Sequence, residues 1–346
     1  VSGPRAVVTG LGLVTPLGPC LDSTFSALGE GRSAVAPATL FDASPFASSL
    51  AGEVKGLDAR AHFRVPKALK LCDRRTRFAV CAAAMALAYA GFPAGPCDGL
   101  GVAIGTSGSD LGAEELSAAL SRADDPHRAA HDAAAFGEAA LAGLNPLWLL
   151  LHLPNMASAH VSIQLEARGP NTTVMTGWAA GLSAIIEGAA WIAEGSAVAV
   201  LAGGAESPVH PFAFAAFEQA GLFSGISSGS SSLPAPLVPA EGSAVVLLEE
   251  REAALARGAR ILGEIGGHAL AAGHRLSALV AAAAPAPAGL LEHLAGNLLA
   301  AHAPAALVLA LAEGLSAPVT TVAEGPAGEA AALLIWPPAG VARSTA

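Results

Sequence analysis

The side chains able to do chemistry in this chain are few, and most of their spacings match no catalytic pattern. Thr9-Gly10-Leu11-Gly12 follows an apolar run, as a phosphate-cradling glycine turn would. Thr15, however, stands where the third glycine of G-x-G-x-x-G belongs, and no acidic residue follows about 20 positions on. The single tyrosine, Tyr89, runs into Ala90-Gly91-Phe92-Pro93 without a following lysine, which disfavours a nicotinamide-dependent reductase. Gly225-Ile226-Ser227-Ser228-Gly229 has the letters of a nucleophile elbow, yet it lies in a Ser/Gly-rich run and not between a strand and a helix. His127 and His131 stand four apart beside Asp125 and Asp132, a spacing that puts both imidazoles on one helix face. Without H-E-x-x-H or a distant third ligand the pair reads as a solvated polar helix, and no metal is expected. Cys20, Cys72, Cys81 and Cys97 form no C-x-x-C pair, so neither a disulfide framework nor a zinc knuckle is expected.

The 346 residues suffice for about two domains or for one fold of two similar halves. Hydrophobic residues make up 53% and charged residues 13%, which excludes a disordered chain. The charge balance, 18 − 28 = −10, carries no basic block, so nucleic acid is not an expected partner. A mean hydropathy of +0.54 raises the question of a membrane. Phe78–Cys97 has no charge but is broken by Gly91, Pro93, Gly95 and Pro96; the remainder, Phe78–Ala90, is too short to span a bilayer and reads as a buried helix. The sequence opens on a strand-like run with no visible signal or transit peptide, which points to a cytoplasmic protein.

Short apolar runs alternate with helix-like stretches, the pattern of an α/β protein with buried sheets. Strands are expected at Ala6–Val8, Leu100–Ile104, Thr172–Met175, Ala197–Leu201, Ala244–Leu248, Ile261–Ile265, Ala306–Leu311 and Ala331–Ile335. Helices are expected at Ser23–Leu28 with Asp22 as N-cap, Arg75–Ala90, Ala113–Leu120, Met156–Ala167, Ala179–Glu194, Arg251–Arg257 and Leu290–His302. Ser224–Ser232, leading into Pro234, Pro236 and Pro239, reads as a surface loop, and Ala281–Pro287 as another. These signals divide the chain into residues 1–223, a linking loop at 224–239, and a shortened second half at 240–346.

Four segments, taken in order, resemble the β-ketoacyl synthase family of the thiolase-like fold. They are Arg5 to Gly18 (an opening strand and turn); Leu71 to Ala90, with its D-R-x-x-R-F-A start; Leu153-Pro154-Asn155-Met156 through Gly169-Pro170-Asn171 to Gly181; and Ala202-Gly203-Gly204-Ala205-Glu206 followed by Phe217. The resemblance implies a five-layered αβαβα architecture of two pseudo-symmetric halves, and a dimer paired through Thr172, Thr173, Val174 and Met175. In active members a cysteine follows that strand at the start of a buried helix, where the helix dipole lowers its pKa and backbone N–H groups cradle the thioester oxyanion. Two histidines assist decarboxylation of a malonyl group on a carrier protein.

Each of these catalytic positions departs from the pattern. T-x-C-x-x-G becomes Thr176-Gly177-Trp178-Ala179-Ala180-Gly181, and an indole cannot form a thioester. The nearest counterpart of the first histidine motif is Ala312-Glu313-Gly314-Leu315, with a carboxylate for the imidazole; the second, a lysine followed by G-H-x-x-G-A-A-G, has no counterpart after Thr321. Residues 266–346 are short for a second half, and Gly325 to Trp336 is expected to be the family's closing strand, reached after a deletion.

The chain therefore resembles a chain-length factor, the non-nucleophilic subunit of the heterodimeric ketosynthases of type II polyketide and polyene pathways. That resemblance implies a cysteine-containing ketosynthase and an acyl carrier protein as partners, and no cofactor. Ser109, Leu111, Gly112, Glu115 and Leu116 resemble the stretch that gates the acyl tunnel, and Trp178 either shapes the tunnel or only fills the core. Two rivals stand beside this reading: an acyl-transfer enzyme with a displaced nucleophile such as Thr176 or Ser183, and a scaffold that leaves product length unchanged.

Overall fold

The structure is a computed structural model that describes residues 5–108, 112–123, 132–224, 236–272, 284–285 and 288–338. Its main sheet has the strand order β5-β4-β6-β7-β1-β8-β11-β10-β9. β1 (Ala6–Val14), β4 (Leu100–Gly105), β5 (Asn171–Val174), β6 (Ala199–Glu206) and β7 (Gly242–Glu250) form one half. β8 (Gly263–Ala272), β9 (Ala284–Pro285), β10 (Val319–Glu324) and β11 (Glu329–Trp336) form the other. The halves meet where Val7 and Val8 of β1 pair with Glu264 and Gly263 of β8. A separate hairpin joins β2 (Val35–Pro37) to β3 (Leu50–Gly52).

The strands of the first half are apolar on both faces because helices cover both. On the outer face the helices Arg74–Tyr89 and Met156–Leu165 bury Phe78, Val80, Ala82 and Val161 against Val102, Ile104, Leu201 and Leu247. On the inner face the helices Ala180–Ala193 and His302–Glu313 bury Leu182, Ile185, Leu307 and Leu309 against Val8, Leu11, Val246 and Leu248. The same core cluster includes Ala331, Leu333 and Ile335 of β11, so the two central helices lie between the two halves of the sheet. This gives helix, sheet, helix and sheet layers in the expected order; beyond β11 the described residues add only an alanine-rich cluster around Ala330 and Ala332.

Most expected elements are present, with instructive departures. Ala306–Leu311, read as a strand, is the middle of the helix His302–Glu313; a run of nine buried residues there follows burial on all sides, a case in which periodicity cannot separate helix from strand. The expected helix Leu290–His302 ends early: Ala288–Ala295 is helical, then Gly296 at φ +83° turns the chain. Asp22 is not the cap of the first helix, Leu21–Gly29; Cys20 is, and Ser23 accepts its N–H at 3.2 Å. β7 lies between β6 and β1, so the 224–239 stretch, most of it outside the described residues, does not separate the two halves of the sheet. His127, His131 and the Gly225–Gly229 motif also lie outside the described residues. No described helix is long and apolar enough to cross a membrane.

The opening strand is nine residues long, and Gly10 and Gly12 lie inside it, not in a turn. A register shift between Val8 and Gly10 resets the alternation of faces, so Val8, Leu11 and Leu13 all reach the inner core. The two glycines face the helix Arg74–Tyr89, where an added Cβ would collide with the carbonyl oxygens of Ala86 and Ala82. Gly12→Ala is therefore expected to cost about 1–3 kcal/mol in chemical denaturation. Gly267→Ala, at a position with open space, is the control and should stay within about 0.5 kcal/mol.

Candidate functional site

The position of Trp178 follows from the end of β5. After Val174 the chain passes Thr176, makes one 3-10 turn at Gly177–Ala179, and enters the buried helix Ala180–Ala193. Gly177 adopts φ +55°, which lets this turn form. The indole of Trp178 is 8% exposed and packs with Leu222, Leu237 and Leu299, with Phe217 beside them. This is the strand-then-buried-helix setting expected for the nucleophile, filled by an apolar ring.

The hydroxyls nearby are engaged. Thr176 donates to Ser183 at 3.2 Å, and Ser183 donates to the carbonyl of Ala179 at 2.9 Å. The chain of bonds ends on the backbone and includes neither an imidazole nor a carboxylate to serve as base. Glu313 is the last residue of the helix His302–Glu313 and is exposed; it does not follow a strand as expected, because the preceding segment is helical. A different carboxylate reaches the turn. Glu329, the first residue of β11, accepts the backbone N–H of Trp178 at 3.1 Å.

A cavity of about 510 Å³ lies on the other side of Phe217 and Leu299, which line it and also pack around Trp178. Trp178 itself is not on its wall. Phe212, Ala213 and Ala216, from the helix Pro211–Gln219, form one apolar side. Gly112 and Glu115, expected as gating residues, line the cavity; Leu116 is half-buried and does not, while Ser109 and Leu111 lie outside the described residues. Thr172, Thr173 and Val174 lie on β5, the edge strand, which pairs only with β4 among the described residues, and Met175 just beyond it is 53% exposed.

The other end of the cavity is charged. Glu206, at the end of β6, accepts the backbone N–H of Ser107 and lies 3.4 Å from the Thr106 hydroxyl. Arg75 is 2% exposed, pairs with Asp73 at 3.1 Å, and donates to the carbonyls of Gly108 and Leu153. The expected site did not include Glu206, Arg75 or Glu329. The first two fall in segments that carry the family resemblance, and Glu329 is marked only by the glycines Gly325 and Gly328 before it.

Burial pushes the Glu206 carboxyl up to about 7, against the opposing pull of the Ser107 bonds and of Arg75. A group whose folded pKa is raised above its unfolded value of 4.5 holds a proton in the native state that the unfolded state has lost. The contribution of Glu206 to stability therefore falls as pH rises from 4.5 to about 7 and is level above that. Glu206→Gln should remove this component, so the gap between variant and parent in unfolding free energy widens by about 3 kcal/mol from acid to neutral pH. A parallel pH dependence in the two proteins would contradict the assignment.

Comparison with known proteins places this geometry in a family. Residues 4–254 match the sequence profile of "Beta-ketoacyl synthase, N-terminal domain". The chain is 36% identical over 275 residues to a 3-oxoacyl-[acyl-carrier-protein] synthase 2 of Synechocystis sp., a match covering 77% of this chain and 62% of that protein. It is 33% identical over 274 residues to the granaticin polyketide putative beta-ketoacyl synthase 1 of Streptomyces violaceoruber, covering 77% of this chain and 63% of that protein. The matched region thus spans less than two thirds of the length of these relatives. Among solved structures, the ishigamide ketosynthase/chain length factor superposes with a TM-score of 0.78 at 20% identity, over 97% of this chain and 100% of that one, which shows the thiolase-like fold. The chain belongs to the β-ketoacyl synthase family.

Proposed function

We propose that this chain is the non-catalytic, chain-length-factor subunit of a type II polyketide or polyene ketosynthase, paired with a cysteine-containing synthase and served by an acyl carrier protein. The observation that carries the reading is Trp178: a buried indole, closed in by Leu222, Leu237 and Leu299, fills the position where acyl transfer needs a thiol. Two of the native cysteines offer no substitute. Cys72 and Cys81 are buried near the outer helix, where desolvation pushes both thiols up to about 12, far from the thiolate form that nucleophilic attack requires. Meanwhile the parts that a partner would use persist. The edge strand β5 has an unpaired side among the described residues, and the cavity is bounded by Gly112, Glu115, Ala213 and Ala216, whose side-chain volumes would limit a growing chain.

Co-expression with a cysteine-containing ketosynthase, followed by native mass spectrometry, should yield a one-to-one heterodimer that condenses malonyl groups only when both chains are present. The obligate class of interface would bury more than about 2,000 Å², so the chain expressed alone should aggregate or self-associate. A stable homodimer that ignores the synthase would refute the assignment. Within an intact heterodimer, Ala216→Phe narrows the cavity and should shorten the product by one or more two-carbon units; unchanged product length would favour a scaffold.

A further inference from the structure

Glu329 has no counterpart among the features that explain the loss of the nucleophile, and its surroundings are unusual. Oε1 accepts the Trp178 N–H, at the turn that feeds the central helix. Oε2 is buried and has no hydrogen-bond partner among the described residues. Two glycines make room for the carboxylate: a Cβ at either Gly177 or Gly325 would collide with it. The Gly325 N–H donates to the Glu329 carbonyl at 2.9 Å, which holds that wall in place. Among the described residues no lysine or arginine pairs with this carboxylate.

Backbone N–H groups at a helix start attract anions, and a nucleophile placed there draws on them twice, to favour the thiolate and then to hold the oxyanion. A fixed carboxylate on the same N–H removes the donor. Its charge also opposes a second negative charge a few ångströms away. We infer that Glu329 is an internal anion that occupies the oxyanion-stabilising N–H of residue 178, so that this site is closed by a charge as well as by the Trp178 ring. The inference rests on the reading that this subunit performs no acyl transfer. Glu329 is then a positioning residue of negative effect: restoring a cysteine at position 178 does not restore a reactive thiol while Glu329 stays.

The test compares Trp178→Cys with Trp178→Cys/Glu329→Gln in this chain of 346 residues, taken as the soluble self-associated fraction when it is expressed alone. Glutamine keeps the acceptor oxygen and the shape, and removes the charge. Iodoacetamide is the probe: the thiolate displaces iodide and forms a thioether, at a rate that follows the thiolate fraction. Peptide mapping separates position 178 from the four native thiols. The double variant should show a rate–pH midpoint about one unit lower and about tenfold faster alkylation at neutral pH. Coincident profiles would overturn the inference. Should loss of the ring unfold the single variant, Glu329→Ala with Trp178 retained provides a second readout by amide hydrogen exchange. The Trp178 amide should exchange about tenfold faster than in the parent; unchanged protection would likewise overturn it. Neither readout uses a partner subunit, so failure here and failure to pair with a synthase are separate results.

Discussion

The structure depends on how closely backbones approach around the start of the helix Ala180–Ala193. Gly105 at the end of β4, Gly181 in the first turn of the helix and Gly204 in β6 leave no room for a Cβ: each would strike the backbone of Ala180 or of Ala300. These three contacts bring the first half of the sheet, the central helix and the turn at Leu299–Ala301 together at one point. Dense interiors tolerate neither voids nor intrusions, so the approach sets where residue 178 must lie. A change of side chain there alters chemistry without altering the frame.

The frame of the β-ketoacyl synthase family is kept with tryptophan at position 178. Trp178 places an apolar ring against Leu222, Leu237 and Leu299, an arrangement that packing favours. Two buried carboxylates tie elements of the frame together. Glu241, fully buried, accepts the Arg74 guanidinium at two points, the Val54 N–H at 2.8 Å and the Ser207 hydroxyl at 3.2 Å. Those bonds tie the outer helix, the segment after β3 and the entry to β7 into one network, and removing Arg74 would leave a buried carboxylate without its counter-charge. Glu249 does the same at the far end of β7, where it receives Thr9 and Arg257. The cavity joins an apolar wall to a charged end, the latter made of Glu206, Arg75 and Asp73.

Much of the fold and part of the site were legible in the sequence, for identifiable reasons. The helix Arg74–Tyr89 was expected one residue later, at Arg75–Ala90, from its uncharged alanine-rich run; in the structure Asp73 caps it by accepting the Thr76 N–H at 2.7 Å. Gly112 and Glu115 were recognised by resemblance and do line the cavity. The readings that failed depended on burial from every side or on a local irregularity. The segment 306–311 is apolar all round, so its helical period was hidden, and that error carried Glu313 to the wrong place. Gly10 and Gly12 fell outside the expected strand Ala6–Val8 because the helix that crosses them is some 70 residues away in sequence.

The sequence by itself determined the family, the alternation of strands and helices, and the indole at position 178, because these are written in residue types at short spacings: Trp178 two residues after Thr176, and Glu206 at the end of an apolar run. Only the tertiary structure decided which carboxylate meets the turn at Trp178. Glu329 lies 151 residues from Trp178, and no local spacing announces it. It arrives because β11 closes the second half beside the turn that starts the central helix, between two glycines whose missing side chains leave space for a charge. A hydrogen bond over that sequence distance is a consequence of packing, which no segment contains alone.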